Sequence, residues 1–122
     1  MINNVILVGR LVKEIDVRRT STNKPVGEFN LAVTNELVKK DGKPSVDYIK
    51  CVAWNSTAEI IEKYTSKGTL IGVVGRLQTR TYQNKNGDNV FVTEVIVSSV
   101  NLLEQRKQEN NAASNNAAQK TK

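Results

Sequence analysis

The sequence has no histidine, and only one cysteine among its 122 residues. The absence of histidine removes the commonest general base and the commonest metal ligand. A single cysteine forms no internal disulfide, and Cys51 stands among apolar residues that favour a core position over a reactive thiol. No Gly-rich phosphate loop, metal-ligand cluster or paired-carboxylate motif is evident either. We therefore expect a protein that is not an enzyme and that has no metal site or cofactor.

Long apolar runs are also missing from the sequence. No stretch approaches the ~20 residues that cross a bilayer, and the N-terminus does not read as a signal peptide. We expect no membrane association and a reducing, cytoplasmic setting. Lysine and arginine number 18 against 12 acidic residues, a net charge of +6. This balance favours anionic partners, nucleic acid first, although a solvated basic surface would give the same count.

Hydrophobic patterning predicts five strands and one helix. Residues 4–12 form the first strand, which residues 15–20 extend after a kink, and the others are predicted at 26–37, 46–54, 69–82 and 90–103. Ser56 and Glu59 make a capping box that starts a helix after the third strand, and Gly68 supplies its stop. An all-β, five-stranded barrel with a helix between strands 3 and 4 is the OB fold.

The composition changes abruptly after Leu103. Residues 105–122 contain no aliphatic side chain larger than alanine, so burial cannot repay the entropy of ordering them. We predict one folded domain over residues 1–104 and a disordered polar tail over residues 105–122. Each part carries a net charge of +3, so the binding face of the domain must come from the placement of its charges rather than from their number.

Two predicted strands carry aromatic rings interleaved with basic or amide side chains. In DYIKCVAW, residues 47–54, strand alternation places Tyr48, Lys50 and Trp54 on one face and an apolar set on the other. The same two-residue period in the fourth strand groups Arg76, Gln78, Arg80 and Tyr82, with Leu77 on the apolar side. Bases stack on such rings in any sequence, and cations contact phosphates. A duplex hides its base faces, so this pattern favours single strands, although aromatic rings can also simply cover a sheet.

Other candidate residues are less specific. Loop and strand cations that could contact a nucleic acid are Arg10, Arg18, Arg19, Lys39, Lys40, Lys43 and Lys85. Phe29 and Tyr64 are predicted to lie in the core, because each falls on an apolar face of its element. The face of Phe91 is not assigned.

Several motifs in sequence order resemble the bacterial and phage single-stranded DNA-binding proteins. They are NNVILVGRLV, FNLAVTNE, DYIKCVAWNSTAE, YTSKG, GRLQTRTYQNKNG and TEVIV, which together span about residues 1–104. The resemblance implies an OB fold, a homotetramer, and sequence-independent binding of single-stranded DNA in replication, recombination and repair, without catalysis. It also implies cytoplasmic action, at the nucleoid or in the host cytoplasm of a phage.

The resemblance also assigns roles to residues. It implies that Tyr48, Trp54 and Tyr82 stack on bases, and that Arg76, Gln78 and Arg80 make basic and polar contacts. A further stacking position that is often aromatic in the family is Leu37 here. Family members commonly end in an acidic tip that recruits replication and repair enzymes, whereas this sequence ends in NNAAQKTK. Recruitment through the tail is therefore in doubt, and the sequence fits either a shortened chain or a phage-borne or secondary paralogue. An RNA-binding or protein-assembly OB module is the alternative function.

Overall fold

The computed structural model describes residues 1–38 and 40–104, except for the side chains of residues 37 and 38. This part of the chain forms β1 (Val5–Leu11), β2 (Asp16–Arg19), β3 (Pro25–Val38), β4 (Pro44–Trp54), α1 (Asn55–Tyr64), β5 (Leu70–Gln83) and β6 (Asn89–Leu102). The tail predicted over residues 105–122 lies outside the described residues, and so does Lys39. The disorder of the tail and the domain boundary therefore stay predictions.

The strands close into a barrel in the order β1–β5–β6–β4–β3. All neighbours are antiparallel except β4 and β6, which run parallel. The pairings Arg10 with Ala32 and Leu11 with Leu31 join β1 to β3 and complete the ring. Residues 15–20 were predicted to extend the first strand after a kink. They form instead the separate short strand β2, which pairs with the same edge of β3 as β1 does. The predicted five-stranded OB barrel with one helix is confirmed.

The barrel interior follows from the two-residue alternation of its strands. Phe29 and Leu31 of β3 point inward, as predicted, and meet Cys51 and Ala53 of β4. Val95 and Val97 supply the matching pair from β6. Burial raises the pKa of Cys51 to about 12, which keeps the side chain a neutral thiol at physiological pH and accords with its predicted core role.

The helix closes the barrel, but its ends differ from the prediction. The capping box is wrong: α1 begins at Asn55, in the left-handed region at a φ of 56°, and no side chain caps its N-terminus. The helix ends at Tyr64 rather than near Gly68, and the N–H of Thr65 donates to the carbonyl of Ile61. Ala58 and Ile61 form the buried face. Tyr64, predicted in the core, is instead 45% exposed.

The β5–β6 hairpin extends past the barrel. Gly75 makes the last pairing of β5 with β1, and a Cβ there would collide with the carbonyl oxygen of Ile96 beside a shift in the β5–β6 register. Beyond Gly75, β5 no longer pairs with β1, so Leu77, predicted on the apolar side, is exposed, whereas its β6 partner Val95 is still buried. Gly87, at a φ of 83°, makes the turn that NGD predicted. The distal half of the hairpin thus presents most of its side chains to solvent.

Candidate nucleic-acid interface

Strand alternation places the β4 rings outward, as predicted. Tyr48 and Trp54 are 68% and 42% exposed, whereas Cys51 and Ala53, on the other face, are fully buried. Val52 shares the outer face with the rings but is only 6% exposed. The outer face of β4 therefore offers two aromatic rings on an apolar base.

The second aromatic strand, β5, does not lie next to β4. The strand β6 runs between them, so that Ile96 pairs with Val52 on one side and with Arg76 on the other. Arg76, Gln78, Arg80 and Tyr82 share the outer face, as the two-residue period predicted, because they lie opposite residues of β6 that alternate with its buried valines. Tyr82 is 47% exposed, and the guanidinium of Arg80 lies 5.7 Å from the centre of its ring.

A trough of about 260 Å³ crosses this outer face. Its lining comprises Arg18, Thr20, Val26, Glu28, Val52, Trp54, Gln78, Arg80, Glu94 and Ile96. The structure thus brings Trp54, Gln78 and Arg80 together in one concavity. Tyr48 and Tyr82 are on the same outer surface but do not line the trough.

Two carboxylates in the trough were not recognised in the sequence. Glu94 is only 3% exposed, and its Oε1 accepts a hydrogen bond from Nε of Arg80 at 3.0 Å. Its Oε2 lies 3.7 Å from Nζ of Lys50, which is also 3.6 Å from Oε1 of Glu28. Oε2 of Glu28 lies in turn 3.5 Å from Arg18. The face predicted to be basic therefore also contains two carboxylates, each of which forms ion pairs with its cations.

These contacts fix the charge and orientation of the basic side chains. The hydrogen bond from Arg80 to Glu94, together with the charge of that carboxylate, raises the pKa of Arg80, which keeps the guanidinium protonated. Arg76 lies outside the trough lining and is solvent-exposed, with a 3.4 Å hydrogen bond to Oε1 of Gln78. A signal for Glu94 was present in the sequence, since it is the one charged residue of the otherwise apolar or neutral β6 strand.

The less specific candidates are dispersed. Arg10 pairs with Ala32, which pairs with Tyr48, so it shares the outer surface, but its guanidinium contacts the carbonyl of Gly68 and the Glu104 carboxylate. The loop lysines with described positions, Lys40, Lys43 and Lys85, are exposed. Phe91 pairs with Thr81 and therefore faces away from Tyr82 on the hairpin. The roles of all these residues stay predictions, as do those of Lys39 and of the Leu37 side chain.

Comparison with known proteins decides the family. A model described as the single-strand binding protein family matches residues 2–103, the part of the chain that forms the barrel. The chain belongs to this family. A single-stranded DNA-binding protein 1 from Lactococcus lactis is 43% identical over 122 residues, which cover all of this chain and 81% of that protein.

Two further relatives are similar over most of this chain. A single-stranded DNA-binding protein of Enterococcus faecalis is 49% identical over 106 residues, 87% of this chain and 56% of that protein. Single-stranded DNA-binding protein 4 of Streptococcus agalactiae is 44% identical over 114 residues, 93% of this chain and 83% of that protein. The family model, over residues 2–103, covers the whole outer face described above. Within the described residues, no helix is both long and apolar enough to span a membrane.

Proposed function

We propose that this protein binds single-stranded DNA without sequence preference, by stacking bases on Tyr48, Trp54 and Tyr82. The observation that carries the proposal is the outward placement of these three rings on one surface, interleaved with basic and amide side chains. Exposed rings remove little apolar area from water, so packing alone gives little reason for three of them on one surface. The family and the names of its members support the same function, which is binding rather than catalysis.

The polar contacts come from both the trough and its surroundings. Gln78 and Arg80 are placed to contact bases within the trough, Lys50 to contact bases beside it, and Arg76 to contact the backbone outside it. The positive charge of the lysine and arginine side chains makes binding weaken as salt rises, because phosphates bound by the protein release counterions. This activity suits replication, recombination and repair, and we place it in the cytoplasm, where bacterial and phage DNA is copied. Recruitment through residues 105–122 is not part of the proposal.

The test of this function is the fluorescence anisotropy of a labelled dT oligomer titrated with the wild-type chain. We expect saturable binding that weakens with salt, and poor competition by a duplex of the same length. A matched RNA oligomer decides the alternative, because stacking and phosphate contacts alone do not distinguish the 2′-hydroxyl. No anisotropy change at micromolar protein and low salt would overturn the proposal.

We also propose that the chain assembles with copies of itself, as a tetramer, through β1. Ile6 is 68% exposed and Val8 also faces solvent, so the strand presents an apolar outer surface. β1 pairs with β5 from Val5 to Arg10, but within the described residues it pairs with β3 only at Arg10 and Leu11. An apolar strand with one open edge is a surface that a second copy can cover.

The variant Ile6→Glu is expected to lower the assembly state, because a charge would then be buried between subunits. Ile60→Glu, which introduces the same change at an exposed isoleucine of α1, is the matched control and should leave assembly unchanged. Sedimentation equilibrium measures both. A monomeric wild-type chain, or equal loss of assembly in the two variants, would contradict the role of β1.

A further inference from the structure

A ladder of alternating charges crosses the outer face. It consists of one side chain from each of β5, β6, β4, β3 and β2, in the spatial order Arg80, Glu94, Lys50, Glu28 and Arg18. The strand register brings these residues side by side. Lys50 pairs with Asn30, which is two residues from Glu28 and on the same face of β3. Glu94 pairs with Gln78, which is two residues from Arg80 and on the same face of β5. We call this set the charge ladder.

The charge ladder leaves little attraction for a phosphate at its centre. Lys50 lies between two carboxylates, 3.6 Å from Glu28 and 3.7 Å from Glu94. A phosphate oxygen that reached its ammonium group would also come near both negative charges. Like charges this close repel with an energy comparable to the attraction of the lysine. The central cation is therefore unsuited to an anion, in spite of the basic composition of the face.

The surroundings of the charge ladder suit a neutral heterocycle. Val52 and Ile96 provide apolar contact beside it, and the Trp54 ring borders the same trough. Base edges carry amide-like donors and acceptors that the alternating carboxylates and cations can satisfy. The floor thus offers apolar area, an aromatic ring and hydrogen-bonding groups of both kinds.

We propose that Glu28 is a specificity-determining residue that keeps phosphates off the trough floor. A single strand satisfies this requirement by turning its bases toward the floor and its phosphates toward exposed cations outside the trough, such as Arg76. A duplex cannot do so, because its bases are paired inside and its phosphates face outward. This inference rests on the proposed single-stranded DNA binding, and it assigns selection against duplexes to an acidic residue.

The test compares Glu28→Gln with the wild type in anisotropy titrations against a dT oligomer and against a duplex of the same length. Removing this charge should tighten duplex binding by about fivefold relative to dT binding, the effect of one unit charge about 4 Å away in water. Glu28 is half-exposed, so the substitution is expected to leave the fold intact. Far-UV circular dichroism checks this.

Glu59→Gln is the matched control. Glu59 is also an exposed glutamate 3.5 Å from an arginine of β2, in this case Arg19, but it lies on α1 and not in the trough lining. Tighter duplex binding relative to dT in Glu28→Gln, with no such change in Glu59→Gln, supports the inference. An equal change in both variants, which would report net charge only, overturns it, and so does weaker dT binding with an unchanged duplex affinity. A wild-type chain that binds no dT would instead remove the proposed function.

Discussion

Replacing Trp54 with alanine is expected to weaken binding of a dT oligomer by about ten- to a hundredfold. Stacking of a base on an aromatic side chain contributes roughly 1–3 kcal/mol in single-strand-binding OB folds, and Trp54 is the largest ring at the trough. Because the indole is partly exposed and makes no capping hydrogen bond to α1, its loss should leave the barrel folded. Anisotropy of a labelled oligomer measures the affinity, and circular dichroism checks the fold.

Tyr64→Ala is the control for this substitution. Tyr64 is about as exposed as Trp54, but it lies at the end of α1 beside Lys63 rather than in the trough. Its replacement should change the affinity for dT by less than about twofold, since no base is expected to contact it. Equal effects of the two substitutions would show that the aromatic face is misassigned. Unfolding of Trp54→Ala would show that the indole serves mainly the core.

Replacing Glu94 with alanine is expected to lower the free energy of unfolding by about 2–3 kcal/mol. The substitution removes a charged hydrogen bond to Arg80, an ion pair with Lys50 and the volume of a buried side chain. Breaking a fully buried ion pair costs ~3–5 kcal/mol. We expect a loss at or below the lower end of this range, because the side chains of Lys50 and Arg80 both reach solvent. Urea denaturation followed by circular dichroism measures it.

Glu28→Ala provides the comparison, because Glu28 also makes two ion pairs and shares Lys50 with Glu94. It is half-exposed, so its contacts compete with water and its replacement should cost at most about 1 kcal/mol. The difference between the two variants isolates the effect of burial. Equal destabilisation would mean that Glu94 contributes no more than a surface glutamate.

The features of the fold that sequence predicted are those set by local periodicity. Alternation in β4 and β5 predicted the outward placement of Tyr48, Trp54 and Tyr82, because residues two apart in a strand point to the same face. The turn at Gly87 followed from its residue types for the same local reason. The order of the predicted strands along the chain, with a helix between the third and fourth, indicated the OB barrel, but the pairing of particular strands was not predicted.

The features that sequence did not predict depend on contacts between distant strands. Glu94 was not recognised in the sequence, because only the β4–β6–β5 register shows that Lys50 and Arg80 lie beside it. The capping box failed because Asn55 enters the helix one residue before Ser56, from a left-handed conformation. Leu77 was misplaced because β5 makes its last pairing with β1 at Gly75, so that the inward side of β5 is no longer covered at Leu77.

The most direct test of base stacking is the fluorescence of Trp54 during titration with a dT oligomer. Trp54 is the only tryptophan of the sequence, so its emission reports this one position. Stacking of a base on the indole predicts quenching that saturates with the oligomer and whose midpoint moves to higher concentration as salt is raised. Emission that stays unchanged at micromolar protein and low salt, while anisotropy reports binding, would contradict the account.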